Sequence, residues 1–402
     1  MQIQDRPPSL PTDASRWYWL MSYPFRIFFL SLGVMAIAII PLWWSILFHW
    51  IQPALAVTPV VWHAHEMLFG WVPAAIAGFL LTAVCVWTGT IRLHGWPLVG
   101  LWSVWLAGRI VLLFGSSLPF WLVAGIELAF LPLVAWDAGR RIYAKKQSRH
   151  LIILIVLTVY WLFQAGLLVT QQLQFAHAAL TLLCVLMLVI GGRITPSFSY
   201  NWLRMKQQLA PNEAQIQPIP ALEKALIAGG MALAASMLMP MLVSVPLLSA
   251  GLAAVLGVLS AVRVIRWQGW RIRQEPLLWI LHLPQLMISA GWLVMAGGLL
   301  GWWSPLIWIH LIAIGAAAAL ILGVISRVSL GHTGRPLQLP AGMALAFFLI
   351  VLCALIRVLT AASGLPWTVG IAFSMGLWVM AFGLYCWRYA GILSSPRPDG
   401  LA

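Results

Sequence analysis

The sequence predicts an all-α polytopic membrane protein with about twelve transmembrane helices. Composition, the spacing of apolar runs and the placement of positive charge all lead to that class. Of 402 residues, 62% are hydrophobic and 8% charged, whereas a soluble domain carries roughly 25% charged residues. A chain this apolar needs lipid as its solvent. Its 25 tryptophans suit a protein that meets two membrane–water interfaces many times. Its 33 glycines and 25 prolines are tolerated in spans whose neighbours re-satisfy the backbone.

A spanning helix needs about 20 apolar residues. Runs of that kind lie near 25–49, 59–87, 96–115, 119–136, 151–170, 175–192, 221–244, 246–262, 276–300, 305–326, 339–361 and 366–388, the fourth and eighth being the shortest. They define a polar N-terminal tail (1–24) with no cleavable leader pattern, a twelve-helix membrane domain (25–388) and a C-terminal tail (389–402). Residues 193–220 form the longest connection and read as a polar cytoplasmic loop.

Positive charge alternates from one side to the other. Of 23 Lys and Arg, 21 fall in the tails or in connections after even-numbered spans, and the other two, Arg109 and Arg357, lie within spans. The largest groups are Arg140, Arg141, Lys145, Lys146 and Arg149 after span four, and Arg263, Arg266, Arg271 and Arg273 after span eight. This pattern predicts an even number of spans with both termini in the cytoplasm, as in a bacterial inner-membrane protein. It also accounts for the net charge of +14 as topology and gives no reason to expect a nucleic-acid partner. The four cysteines (Cys85, Cys184, Cys353 and Cys386) sit inside apolar runs with no CxxC pair, which argues against a disulfide framework or a thiolate zinc site.

Two helix starts resemble each other. Thr58-Pro59 opens span two and Ser304-Pro305 opens span ten, a pattern in which the hydroxyl caps and proline takes the first helical position. Histidines follow early in both, His63 and His65 in one and His310 in the other, and His177 sits similarly in span six. Spans two, six and ten are four apart, which suggests three four-helix units.

These histidines are the candidate chemistry. His63 and His310 lie roughly 6–8 Å into their helices at 1.5 Å per residue. Imidazoles at one depth on several helices could converge on a metal or haem, so His63, His65, His177 and His310 are candidate ligands. A lone interfacial histidine more often bonds a neighbour or water, and matched depth on three helices is what favours ligation. His63 and His65 are two apart, so a straight helix cannot direct both at one metal. Glu66 could orient a histidine ring as an acceptor.

At the inner side, Gly191-Gly192-Arg193-Ile194-Thr195-Pro196-Ser197-Phe198 and Ser326-Arg327-Val328-Ser329-Leu330-Gly331-His332-Thr333-Gly334-Arg335-Pro336 read as polar helix ends. Arg193, Arg327 and Arg335 could bind an anion such as a haem propionate; equally, they are topological arginines at helix caps. His282 and His332 could serve a second site there. Glu127 in span four is expected to pair locally with Arg109 in span three.

Several blocks together resemble the NnrS family. They are Phe25-Arg26-Ile27-Phe28-Phe29-Leu30, Trp62-His63-Ala64-His65-Glu66-Met67-Leu68-Phe69-Gly70, Trp87-Thr88-Gly89 and the two inner blocks quoted above. The resemblance implies a twelve-helix inner-membrane protein that contains haem and copper and acts in the bacterial response to nitric oxide. It leaves open which residues hold metal and what reaction, if any, is catalysed. The chain departs from the family pattern at Cys85-Val86, where Pro-Asn is expected, and at Ser199-Tyr200-Asn201, where Thr-x-Asn is usual. Neither change removes a candidate ligand. Two other readings are a secondary transporter, since twelve spans with a long central loop is also a transporter plan, and a haem or metal delivery protein.

Overall fold

A computed structural model describes residues 15–147, 150–210, 212–239 and 245–400. Arg6, Arg149 and Pro211 lie outside them. The described residues are helical and contain no strand. Among the described residues, eleven helices are long and apolar enough to cross a membrane: Pro24–Leu47, Pro59–Thr88, Trp96–Phe114, Phe120–Ala144, Leu151–Thr170, Gln174–Met205, Pro246–Arg266, Pro276–Leu299, Leu306–His332, Met343–Ala361 and Trp367–Leu393. The run expected at 221–244 contains a twelfth helix, Pro220–Ser236, whose 17 residues sit at the lower limit for a span. The chain is a multi-pass membrane protein, and its helices are numbered below as spans one to twelve in this order.

Several boundaries move. Span six runs 32 residues to Met205 with Pro196 inside it, so the polar block at Gly191–Phe198 is helix and not a helix end. The longest loop is correspondingly shorter than 193–220. Span four reaches Ala144, well beyond the apolar run, because its last turns carry Asp137, Arg140 and Arg141 in ion pairs of their own. Pro59 does occupy the first turn of span two, but Thr58 gives that helix no side-chain capping bond. Before span ten it is Pro305 that caps, with Ser304 Oγ accepting from Leu306 N at 3.3 Å.

The chain divides into two compact units that are discontinuous in sequence. The first comprises Met1–Trp161, Ile325–Met343 and Phe382–Ala402. Its core brings Phe25, Phe28, Phe29 and Leu32 of span one together with Trp71, Leu81, Tyr385 and Tyr389. Trp71 Nε1 donates to Leu32 O at 3.1 Å, and the Trp71 ring meets Phe382 edge to face. Arg26, only 1% exposed, donates through Nη1 to Leu393 O at 2.8 Å and Ser395 O at 2.7 Å, fastening the start of span one to the end of span twelve.

The second unit comprises Leu162–Val324 and Ala344–Ala381. Its interior is crossed by polar clips between helices. Gln285 Nε2 donates to Met187 O at 3.1 Å, and Ser289 Oγ to Ser260 Oγ at 2.9 Å. Buried Arg263 pairs with Glu223 at 2.5 Å and donates to Leu188 O at 2.9 Å. In lipid such clips hold helices together where apolar packing alone gives little preference for one neighbour over another.

Candidate functional site

Span two is not a uniform α-helix. It is α-helical over Pro59–His65, π-helical over Glu66–Trp71 and α-helical again over Val72–Thr88. Single π turns inside α-helices are rare and concentrate at functional sites. Backbone groups displaced by the change of register must find partners where no water reaches. Two side chains supply them. Tyr160 OH donates to Leu68 O at 2.6 Å and Trp105 Nε1 to Gly70 O at 2.9 Å.

The π turn presents Glu66 to a buried ionic cluster. Arg109 of span three sits between two carboxylates, with Nε 2.9 Å from Glu66 Oε2 and Nη2 bonded to Glu127 Oε1. The pairing of Arg109 with Glu127 is the one expected from sequence. His65 completes the cluster, its Nδ1 3.7 Å from Glu66 and its Nε2 3.6 Å from Glu127. His65, Glu66 and Glu127 are each at most 3% exposed. Gly70 makes the room: a Cβ there would lie 2.8 Å from Arg109 Cζ and 2.9 Å from Glu66 Oε2. With both carboxylates ionised and His65 neutral, the cluster carries one excess negative charge.

His63 points elsewhere, its ring stacked on Trp43 at 4.5 Å and 7°. Glu66 faces Arg109 and His65.

The other candidate ligands, His177 and His310, belong to the second unit. Span ten repeats the build of span two: α-helix over Leu306–His310, then a π segment over Leu311–Ala318, then α-helix from Ala319. The Nδ1 of His310 lies 2.8 Å from Leu306 O. A carbonyl can only accept, so Nδ1 carries the proton and Nε2 keeps its lone pair. That is the tautomer a metal-binding imidazole needs, fixed by the bond that orients such ligands. His177 meets Trp308 edge to face at 5.4 Å.

His282 offers a second bare nitrogen. Ser199 Oγ donates to Thr195 O at 2.9 Å, so it accepts from His282 Nε2 at 2.9 Å. His282 Nδ1 is left buried without a hydrogen-bond partner. His332, in the first unit, has its ring against Phe25, and its carbonyl accepts from Arg397. Arg335 bonds Thr333 O and Ser395 Oγ, Arg327 is partly buried, and Arg193 is exposed on span six. Among the described residues, no three His, Cys, Asp or Glu side chains group closely enough to hold a metal ion together.

The NnrS family model, described as NnrS protein, matches residues 19–397. The chain belongs to the NnrS family. Among curated proteins none matches it. NnrS membership supports a role in the response to nitric oxide. Within this NnrS chain, Tyr160 and Trp105 carry no sequence signal because each looks like an ordinary aromatic of an apolar run. Arg263 reads in the sequence only as topological charge after span eight, whereas it is a buried partner of Glu223.

Proposed function

We propose that this chain is a haem- and copper-binding protein of the bacterial inner membrane, with both termini cytoplasmic, acting in nitric oxide metabolism or resistance to nitrosative stress. The observation that carries the metal reading is His310, half-buried in a span with its tautomer set for ligation through Nε2. The candidate donors occur one imidazole at a time among the described residues, and each would offer a haem iron a single nitrogen. His177 and His282, the latter with bare Nδ1, are the next candidates, and Arg193, Arg327 and Arg335 would offer guanidinium donors to propionates. A bound haem supplies an iron able to take up nitric oxide and exchange electrons. The chain's own contribution is to fix the ring of His310 and to keep water from the apolar wall of span ten.

The test is the visible spectrum and copper content of purified protein, wild type against His63→Ala, His65→Ala, His177→Ala, His282→Ala and His310→Ala. His310→Ala is expected to lose or shift the haem bands. Protein that purifies without haem, or a full set of variants with wild-type spectra and copper, overturns the reading. Reporter fusions at 140–147 and 263–273 check the orientation, and an outside signal at either refutes it.

A further inference from the structure

One cavity has no part in that reading. It lies in the first unit beside the start of span one, has a volume of about 280 Å³, and is lined by Arg26, Arg92 and Arg397 together with Trp17, Trp19 and Trp96. Arg26 lines the cavity and is 1% exposed, and its Nε is buried with no hydrogen-bond acceptor. Arg92 lies over the Tyr23 ring at 3.8 Å and donates to Ser22 O at 3.1 Å and Tyr23 OH at 2.7 Å. Arg397 is neutralised by Asp399 at 2.6 Å. Among the described residues no carboxylate forms an ion pair with Arg26, Arg92 or the nearby Arg335. The cavity therefore gathers, at the start of span one, two guanidinium groups, Arg26 and Arg92, that no described carboxylate pairs. Its rim is aromatic and open, with Trp17 48% and Trp96 84% exposed.

We infer that this cavity binds the phosphate of an anionic phospholipid headgroup. A guanidinium presents its donors in a planar fork that matches phosphate oxygens, and the buried Nε of Arg26 is a donor awaiting such an acceptor. The site stands at a helix end, where headgroups lie, and exposed tryptophans of the interfacial kind flank the path an acyl chain would take. Free phosphate offers the same oxygens but has no chain to lay beside Trp96. The volume suits a headgroup with its glycerol.

The experiment is native mass spectrometry of the full-length protein in detergent, titrated with phosphatidylglycerol, phosphatidylcholine or inorganic phosphate. Each basic residue near a membrane surface contributes enough for roughly a fivefold change in affinity. Phosphatidylglycerol is expected to bind roughly tenfold or more tighter than phosphatidylcholine. Arg92→Gln and Arg26→Lys are expected to lose about fivefold of that affinity. Arg140→Gln, a half-exposed arginine paired with Asp137 on span four, is expected to lose none. Equal binding of the two lipids overturns the inference, and so does an Arg92→Gln loss no greater than that of Arg140→Gln. Inorganic phosphate that binds as tightly as the lipid and displaces it completely also overturns it, by making the site one for free phosphate. If Arg26→Lys fails to fold, the wild-type lipid selectivity and Arg92→Gln still decide.

Discussion

Spans two and ten share a plan and differ in what fills it. Each starts near a proline, reaches a histidine after one or two turns, and then widens into a π segment, Glu66–Trp71 in one and Leu311–Ala318 in the other. In span two the widened turn is held by hydrogen bonds from Tyr160 and Trp105 and faces an arginine between two carboxylates. In span ten the segment is LIAIGAAA, which has no polar side chain, and it is packed close by small residues. There a Cβ on Gly315 would meet Met287 Sδ at 2.5 Å and Ala354 Cβ at 3.3 Å. One backbone device thus serves two ends. Where charge surrounds it, the histidine is absorbed into an ionic cluster. Where it is apolar, the histidine bonds the helix backbone through Nδ1 and leaves Nε2 outside that bond.

Removing the charge at the centre of span two's cluster is the harshest way to probe this difference. Arg109→Met strands two carboxylates in the membrane and is expected to cost about 3–5 kcal/mol, read from thermal unfolding in detergent. Adding Glu66→Gln and Glu127→Gln to it should recover most of that loss. A single variant that unfolds like wild type would mean the cluster is not charge-compensated, and the contrast between the spans would fail.

The two glycines give a paired test. Gly70→Ala drives a methyl into Arg109 and Glu66, and overpacking of that kind typically costs about 1–3 kcal/mol. Gly315→Ala meets the end of a methionine, which yields easily, so less than about 1 kcal/mol is expected. Equal losses would show the two π segments to be held alike.

Tyr160→Phe removes one donor to span two's backbone and leaves Leu68 O buried. About 1 kcal/mol is expected, together with faster hydrogen exchange over 66–72. An unchanged exchange pattern would show that the π turn stands without Tyr160.

The smallest effect is expected outside the membrane, where Arg271 bonds Glu213 of the loop after span six. Hydrogen bonds from Arg271 and from Ala210 N–H hold the Glu213 carboxyl below its ordinary range. This contribution is present above the unfolded carboxylate value of about 4.3 and is lost as pH falls through the lower folded value. Limited proteolysis within 205–218 should accelerate only under that acid condition, or at neutral pH in Arg271→Gln. Exposed pairs are weak, so the buried cluster should be untouched. A simultaneous loss of both would mean that the loop and the cluster are coupled.

Much of the scaffold was readable because lipid imposes a simple rule. Runs of about 20 apolar residues became helices, and Arg109 found Glu127 because a buried charge must find its opposite. The prolines at 59 and 305 marked real helix starts. What escaped depends on partners far along the chain. The π turn at Glu66 is secured by Tyr160, 92 residues from its acceptor, so nothing local announces it. The Gly191–Phe198 block looked like a helix end because glycine and proline usually end helices and arginine favours the last turn. Instead the helix continues, with Ser199 bonded back to Thr195 O and out to His282. The ring contacts of the histidines turn on three-dimensional neighbours, which the sequence does not show.

The bond between Arg26 and Leu393 O also fixes an order of events. The two residues are 367 positions apart. At about 5–20 residues per second, the ribosome adds that length in about 20–70 s. For all of that interval span one sits beside a guanidinium whose final acceptors do not yet exist. The last helix therefore acts as a late bolt. A chain cut short before Leu393, or held back at its C-terminus by a fused domain, keeps an open end at its first span and is exposed to membrane proteolysis until the bolt closes.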